Sequence, residues 1–376
     1  MVVTASVQPL PEPDAAGAVL TIDLTALCDN YRLLAGRLTG AACAAVVKAD
    51  AYGLGAARVA ASLARIGCRQ FFVAHLSEGL ALRDLLPAEA EIFVLNGLMP
   101  GAEPACLDAG LTPVLNSLAQ VDAWTGFARE RGRALPAILQ IDSGMARLGL
   151  APAEIDELVR DPARLDGVAL RAVMSHLACA DEPDHPANRA QLAAFEAQRR
   201  RLPPAPASFA NSSGIFLGPD YHFDLARPGA ALYGVAPVPG RPNPMRAVVR
   251  LDARVIQTRT IAAGDAVGYG HVFRATAPTR LATLAVGYAD GWLRSAGRAG
   301  QAFVGDQAVP IAGRVSMDSL ILDISALPEA MLQRGDLVEL IGPHQSIDQV
   351  AEAAGTIGYE ILTSLGGRYA RRYIGD

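Results

Sequence analysis

The chain has 376 residues, of which 51% are apolar and 19% charged, so it is long enough to bury the cores of two domains. Its formal net charge is −5 with both signs interspersed, which argues against nucleic acid as a partner. Five cysteines without a CxxC or Cys/His pattern indicate reduced thiols and predict no metal site.

Residues 1–20 contain three prolines and lack a basic segment, which is typical of a loose leader rather than a signal peptide. The end of this leader could add a strand to a later domain. No run of about 18 uninterrupted apolar residues occurs in the sequence, so no membrane-spanning helix is predicted. Together with the reduced cysteines, these features predict a cytoplasmic protein without a membrane partner.

Eight short apolar runs alternate with helical patterns between residues 21 and 240. Several helical segments begin at Ser or Pro and end at Gly, as capping preferences require. The runs are too apolar to have one solvated face, which is typical of parallel strands buried on both sides. This alternation predicts a (β/α)8 TIM-like barrel, with strands at residues 42–48, 71–75, 91–95, 112–115, 137–142, 170–176, 207–211 and 222–226.

The pattern changes after the Pro-rich segment 236–244, which we interpret as a linker. Residues 241–376 contain β-rich runs such as "RAVVRLDARVIQTRTI" and "TRLATLAVGYADGW", separated by turns that contain glycine. One helical stretch, "SIDQVAEAAG", is the exception. The sequence therefore predicts the α/β class, with an N-terminal barrel over 21–240 and a mainly-β C-terminal domain over 241–376.

Lys48 ends the first predicted strand and is the only lysine; every other basic residue among the 33 is arginine. Catalytic residues of such barrels lie at the C-terminal ends of the strands. A lysine there could simply pack its stem on the barrel and extend its amine into water. Unlike arginine, however, a desolvated lysine can lose its proton and form a Schiff base. We therefore interpret Lys48 as a Schiff-base lysine, for a substrate carbonyl or for pyridoxal phosphate.

The segments at the seventh and eighth strand ends, "NSSGIF" and "RPGAALYG", suit a phosphate group. Barrels often bind phosphate in these two loops, next to a helix N-terminus. Ser212 offers a hydroxyl group, and Gly229 permits a close approach of the backbone. Beside a lysine at a strand end, these segments favour pyridoxal phosphate.

Eight segments in chain order make the sequence, from about residue 19 onward, similar to the alanine racemase family: "VVKADAYGLG", "IDSGMARLGL", "SHLACAD", "ANSSG", "RPGAALYG", "AVGYADGW", "GRVSMD" and "GYEILTSLGGRYARRY". The resemblance implies an isomerase that uses pyridoxal 5′-phosphate to interconvert L-alanine and D-alanine and supplies D-alanine for peptidoglycan. It also implies a homodimer whose active sites are shared between subunits.

The resemblance implies two catalytic bases on opposite faces of the substrate, Lys48 and the partner subunit's Tyr288. Arg227 is implied to face the pyridine nitrogen, and His176 to lie near Tyr288. Cofactor contacts are implied for Tyr52, Arg147, His176, Asn211, Ser212, Gly229, Ala230 and Tyr359, and substrate contacts for Arg147, Met317 and Asp318. Each tyrosine could instead be a packed aromatic, and Arg227 could bond loop carbonyls.

One position departs from the family pattern. Many members carry a carbamylated lysine shortly before the "D-S/T-G" motif, where this chain has Gln140 and no second lysine exists. We predict that this protein carries no carbamate. A neutral amide at this position could still accept a hydrogen bond from Arg147.

Three other functions remain open. A broader racemase acting on serine, lysine or arginine would need assays across amino acids to be distinguished. A decarboxylase of the same barrel-plus-β class is opposed by Arg227 and Tyr288. A non-catalytic barrel that binds pyridoxal phosphate would need neither the β-domain nor the second base, and this chain has candidates for both.

Overall fold

The computed structural model describes residues 15–297 and 299–375 and divides them into two compact units. One unit comprises residues 27–246, and the other combines 15–26 with 247–375. The boundaries differ from the predicted ones, because strand Ala18–Asp23 pairs with Val249–Ile261 and so belongs to the second unit. Most of the predicted leader, residues 1–14, lies outside the described residues.

The unit 27–246 contains a parallel sheet whose strands follow one another in chain order: Ala45–Val46, Gln70–Val73, Glu91–Val94, Thr112–Leu115, Leu135–Gln140, Val168–Met174 and Ala207–Ser208. An eighth strand, Leu225–Ala226, pairs in parallel with Ala42–Cys43. Backbone hydrogen bonds from residues 224 and 227 to 207 and 210 join it to the seventh strand as well, so the ring of strands closes. All eight strands overlap the predicted runs, which confirms the barrel.

Helix Leu24–Gly36 precedes the first of these strands. Six further helices separate the first seven strands along the chain: Ala56–Arg65, Leu76–Arg83, Glu103–Asp108, Leu118–Glu130, Pro152–Arg160 and Pro186–Arg199. Helix Leu118–Glu130 starts at Ser117, whose side chain accepts a hydrogen bond from the Gln120 N–H. It buries residues three or four apart, among them Val121 and Trp124. Successive strand residues such as Phe71 and Phe72 are both fully buried, as expected of strands covered on two faces.

The second unit is mainly β, as predicted. Strand Ala18–Asp23 lies between Val249–Ile261, to which it is antiparallel, and Ala370–Ile374, to which it is parallel. Its sheet also contains Thr279–Leu284, Gln301–Val304, Gln307–Pro310, Leu320–Asp323 and Leu337–Ile341, and Ala266–Val267 pairs separately with Phe273–Arg274.

The helix predicted at "SIDQVAEAAG" is confirmed as Ile347–Ala354, with Ser346 and Gln349 forming a capping box. A further helix, Gly358–Ser364, follows it. Within residues 15–297 and 299–375, no helix combines the length and the apolar character needed to cross a bilayer.

Candidate active site

The sequence had suggested that Lys48 is the last residue of the first barrel strand, but the structure places it just after that strand. The strand ends at Val46, and Lys48 begins a tight turn over Lys48–Gly53. The lysine is partly buried, and this burial, assisted by the positive charge of Arg147, lowers the pKa of its amine. The Glu78 carboxylate acts in the opposite direction. The amine is therefore easier to deprotonate than that of an exposed lysine.

The turn after Lys48 is left-handed. Ala49, Asp50, Ala51 and Tyr52 have φ values of 52°, 53°, 54° and 55°, although none is glycine. Such a conformation costs L-residues roughly 1–2 kcal/mol each. Strain of this kind persists where the surroundings fix the backbone, and it clusters at functional sites.

Tyr52 and Gly229 are in close contact within the barrel unit. The Tyr52 ring packs against Tyr233 with centroids 4.7 Å apart, and a Cβ atom at position 229 would overlap the Tyr52 hydroxyl group. Only glycine therefore fits beside this tyrosine. The Ser212 Oγ accepts hydrogen bonds from the N–H groups of Gly229 (2.9 Å) and Ala231 (3.2 Å), which ties the seventh and eighth strand-end loops together.

These joined loops form a candidate phosphate cradle. Asn211 Oδ1 accepts the Gly214 N–H at 2.8 Å and fixes the first loop. A short 3-10 helix, Ala230–Tyr233, starts in the second loop. The Ala231 N–H is bonded to Ser212 Oγ and the Leu232 N–H to the Gly229 carbonyl, which leaves the Ala230 N–H as the candidate donor to an anion. The Ser212 hydroxyl keeps its own proton to donate, because both of its backbone bonds use the oxygen as acceptor.

Arg227 is a buried cation at the end of the eighth strand. Its side chain is only 3% exposed; it donates to the Ser208 hydroxyl and, at 2.7 Å, to the Ser175 carbonyl. Burial lowers the pKa of the guanidinium to about 10, so it stays charged at neutral pH. In the described part of the chain no carboxylate pairs with Arg227. Its hydrogen bond to the Ser175 carbonyl agrees with the alternative interpretation from the sequence, that this arginine bonds loop carbonyls.

His176 lies among three cations. Burial and the charges of Arg227, Arg147 and Lys48 lower the pKa of its imidazole to about 3. The ring is therefore neutral at physiological pH. Gln191, which is buried, donates its amide to the His176 carbonyl at 3.0 Å and so fixes the backbone at this point.

The segment that carries Arg147 is organised by two buried or half-buried polar residues. Asp142 Oδ1 accepts the N–H groups of residues 144–146 at 2.9, 2.9 and 3.1 Å. Gln140 is buried and donates its amide to the Leu148 carbonyl at 3.2 Å. The amide thus anchors the backbone next to Arg147, whereas the sequence had suggested a bond from the Arg147 side chain to Gln140.

The β-rich unit brings together Tyr288, Met317 and Asp318. The Tyr288 N–H donates to the Ser316 carbonyl at 3.0 Å, and the Ala289 N–H to the Met317 carbonyl at 2.9 Å. Tyr288 is 42% exposed and Met317 53% exposed. Tyr359 lies elsewhere in this unit, on helix Gly358–Ser364. Two neighbouring loops thus present a phenol and a backbone segment to the outside of this unit.

Sequence reasoning missed two residues that hold these loops, Asp290 and Arg368. Arg368 donates to both carboxylate oxygens of Asp290 and also to Asp318, at 2.7 Å. The sequence contained a signal for both residues. Asp290 is in "GYADG" and Arg368 in "GGRY", and each of these motif segments contains a charged residue to which no role had been assigned. Glu78, which contacts the Lys48 turn, was also missed.

Comparisons with known proteins match both units. The family model for the alanine racemase N-terminal domain covers residues 22–237, and that for the C-terminal domain covers 248–373. "Alanine racemase, catabolic" of Mesorhizobium japonicum is 60% identical over 96% of this chain and 94% of its own length. Alanine racemase of Rhodospirillum rubrum is 52% identical, over 96% of this chain and 97% of its own.

Solved structures show the same similarity. The crystal structure of alanine racemase from Bartonella henselae with covalently bound pyridoxal phosphate has a TM-score of 0.93 to this chain at 45% identity. The superposition covers 96% of this chain and 100% of that one. The likeness therefore extends over nearly all of both chains.

Proposed function

The chain belongs to the alanine racemase family, and from that premise we propose that it interconverts L-alanine and D-alanine with pyridoxal 5′-phosphate as cofactor. One observation carries this proposal within the barrel unit. The only lysine of the chain has a lowered pKa, and its charge and that of the buried Arg227 both lower the pKa of His176. A Schiff-base lysine needs a depressed pKa, and a barrel of this type supplies the loops that bind phosphate.

The residues of the barrel unit fit this cofactor. Arg227 is buried without a carboxylate in the described chain, and the close approach of the Tyr52 hydroxyl to Gly229 brings a phenol to the backbone of the eighth strand-end loop. Lys48 would hold the cofactor covalently and Arg227 its ring nitrogen. From the barrel unit, the phosphate would be held by Tyr52, Asn211, Ser212, Gly229 and Ala230; the family resemblance implies Tyr359, of the β-rich unit, as a further contact. When bound, the cofactor withdraws electrons from the substrate α-carbon and makes its proton acidic.

Racemisation requires that a proton leave one face of the substrate and return to the other. Lys48 Nζ would move the proton on one face, since burial and Arg147 lower the pKa of its amine. The partner subunit's Tyr288 would move it at Oη on the opposite face. The 42% exposure of this ring in a single chain supports a role in a neighbouring subunit's site. We therefore propose a homodimer with shared active sites.

Further exposed apolar side chains support the dimer. Tyr269 is 70% exposed, Ile357 59% and Val272 56%, all in the β-rich unit. Contiguous exposed apolar groups are typical of a surface that a protein partner covers, and Tyr269 and Val272 lie three residues apart in the sequence. The substrate carboxylate would be bound by Arg147 together with the partner subunit's Met317 and the partner subunit's Asp318.

Arg227 and His176 define the electrostatics of the reaction. With a pKa of about 10, Arg227 remains cationic and opposes protonation of the ring nitrogen of the cofactor. This weakens electron withdrawal and favours return of the proton over side reactions, which opposes a decarboxylase. With a pKa of about 3, His176 is neutral and would assist Tyr288 by hydrogen bonding rather than by charge.

For the cellular role we propose supply of D-alanine for peptidoglycan, in the cytoplasm, where the five cysteines, all free, would remain reduced. A catabolic role is the second candidate, since the relative at 60% identity is named catabolic. Deletion of the gene separates the two. A requirement for external D-alanine supports biosynthesis, whereas normal growth with loss of growth on alanine supports catabolism.

Two experiments test the enzyme itself. Borohydride reduction of the holoenzyme should fix pyridoxal phosphate on one peptide, that of Lys48. Tyr288→Phe should retain the cofactor absorbance and lose racemisation by about a hundredfold or more, because a positioned acid–base group contributes that much. Unchanged racemisation by this variant would refute the two-base proposal. Comparable rates with serine, lysine or arginine would identify a broader racemase.

A further inference from the structure

We propose that Glu78 is a positioning residue for Lys48, because its carboxylate fixes the left-handed turn that follows the lysine. The role rests on the proposed function, in which Lys48 binds the cofactor. Glu78 is partly buried in the first turn of helix Leu76–Arg83, which follows the second barrel strand. It therefore belongs to a different strand–helix unit from Lys48.

The Glu78 carboxylate links two neighbouring strand-end loops. Its Oε1 accepts the Ala49 N–H at 2.6 Å, and its Oε2 accepts the N–H groups of Ala74 at 2.7 Å and His75 at 3.0 Å. Hydrogen bonds to an ionised carboxylate are short and roughly twice as strong as those between neutral groups. One side chain thus caps its own helix and holds the loop after the first strand.

The position of the bonded N–H group makes this contact important for Lys48. The Ala49 N–H belongs to the peptide unit that leaves the Lys48 Cα atom, so Glu78 fixes the backbone orientation directly after the lysine. Ala49 is also the first residue of the left-handed turn, with φ 52°. Backbone held in this region needs support from its surroundings. The second support is Asp50, whose Oδ1 accepts the Ala56 N–H at 2.7 Å.

Glu78 also contributes charge. Around the Lys48 amine, Arg147 is cationic and His176 is neutral, and Glu78 is the group that raises the pKa of the lysine against the effect of burial. Glutamine at position 78 would remove this charge. It would also leave one of the two acceptor positions to an NH2 group, which cannot accept from a backbone N–H. Loss of the hydrogen bond that positions the Lys48 turn and loss of the Glu78 charge therefore affect two different measurements: the rate of cofactor release and the pH midpoint for forming the covalent link.

Glu154 provides a matched control. It occupies the same place in its own helix, Pro152–Arg160, where Oε2 accepts the Ala151 N–H at 2.9 Å and Oε1 accepts the Leu118 N–H, at the start of another helix, at 3.0 Å. Glu154→Gln thus breaks the same kinds of bond at a loop that does not carry Lys48.

The test uses holoenzyme of the wild type, E78Q, E78D and E154Q. Hydroxylamine is added, and release of pyridoxal phosphate as its oxime is followed by absorbance. The oxime is then removed, fresh pyridoxal phosphate is added, and re-formation of the covalent link is measured across pH. E78Q should release the cofactor about tenfold faster, as expected for loss of a hydrogen bond to a charged group. Its midpoint for re-formation should move to lower pH. E154Q should change neither quantity.

E78D separates position from charge. Its shorter side chain keeps the charge but cannot bridge both loops, so release should accelerate while the midpoint stays near that of the wild type. If E78Q does not fold, E78D alone decides the positioning role. The positioning role would be overturned if E78Q and E154Q had the same rate of cofactor release and the same pH midpoint for re-formation of the covalent link. A wild-type protein without any covalent link would overturn the proposed function together with it.

Discussion

Arg368 and Asp290 form a bidentate ion pair next to the turn that carries Tyr288. Arg368 Nε lies 2.5 Å from Asp290 Oδ1, and its second terminal nitrogen lies 2.7 Å from Oδ2. The same carboxylate accepts the Gly287 N–H at 2.9 Å, and the remaining arm of the guanidinium binds Asp318. One arginine therefore orients both the turn of the proposed base and the loop proposed to bind the substrate carboxylate.

Arg368→Met should lower kcat/KM about tenfold or more, equally in both directions, because two enantiomers have the same free energy. The buried Asp290 carboxylate would lose its partner, at a cost of about 1–2 kcal/mol, limited because Arg368 is 51% exposed. If Tyr288 is displaced, removal of the α-proton by Tyr288 becomes slower. The α-deuterium isotope effect should then be larger for the enantiomer whose proton Tyr288 removes than for the other enantiomer. Initial rates with deuterated L-alanine and D-alanine measure this asymmetry.

Arg372→Met is the control for this variant, because Arg372 lies nearby on the same chain segment and bonds only Thr21 Oγ1 among its described contacts. It should leave the isotope effects of both enantiomers unchanged. A loss of stability in Arg368→Met without any change in the isotope effects would limit Arg368 to a structural role.

Gly229→Ala tests the close contact between Gly229 and Tyr52. The φ there is −124°, outside the left-handed region, and the atom nearest to a new Cβ would be the Tyr52 hydroxyl oxygen. Overpacking of this kind costs about 1–3 kcal/mol. We expect a matching loss of pyridoxal phosphate affinity, of about tenfold or more, in a titration followed by absorbance.

Removal of the hydroxyl should relieve the overlap. In Gly229→Ala combined with Tyr52→Phe, the new methyl group would meet ring carbon at 3.1 Å, so the double variant should be more stable than Gly229→Ala alone. Gly36→Ala, which has no atom within 4 Å of the new Cβ, should behave as wild type. Equal stability of the single and double variants would contradict the steric explanation.

Local sequence patterns predicted the barrel, because buried parallel strands are continuously apolar. They also singled out Lys48 near the end of the first strand, because it is the only lysine in the sequence. They could not predict the turn after it. The residues "ADAY" contain no glycine, so nothing in the sequence indicates positive φ there. The contacts of Glu78 that support this conformation come from another strand–helix unit and have no local signal.

Long-range pairing explains the other differences. Residues 18–20 were assigned to a leader whose end could add a strand to the later domain, and residues 21–23 to the barrel. The whole strand Ala18–Asp23 pairs with Val249–Ile261 and Ala370–Ile374. Arg368 and Asp290 are 78 residues apart, so their ion pair requires the tertiary fold. Residues whose function depends on one local motif were predicted more fully than those that join two motifs.

Gln140 gives a prediction about modification. Its amide donates to the Leu148 carbonyl, and the only lysine of the chain is Lys48, so no carbamate can form at position 140. Intact-mass spectra of the holoenzyme in bicarbonate buffer should show no added CO2. Gln140→Leu should lower the free energy of unfolding by about 1 kcal/mol, since it leaves a backbone carbonyl without its donor. A CO2 adduct on the peptide containing Gln140 would refute the prediction.

His176 should make stability depend on pH. Its pKa falls from 6.5 to about 3 on folding, because burial and the cations Arg227, Arg147 and Lys48 disfavour a further positive charge. Between these two values the unfolded chain binds a proton that the folded protein does not. Stability is therefore complete above pH 6.5 and declines as the pH falls toward 3, by up to about 1.4 kcal/mol per pH unit.

His176→Gln should remove this part of the acid sensitivity. Urea unfolding of wild type and variant, at the same cofactor loading, should give a difference in free energy of unfolding that is constant above pH 6.5 and shifts steadily in favour of the variant below it. His271→Asn, at an exposed position with φ 47° that asparagine tolerates, should keep the wild-type slope. If His176→Gln also keeps that slope, the imidazole binds its proton equally well in the folded and the unfolded protein, and the lowered pKa that supports a neutral hydrogen bond to Tyr288 is refuted.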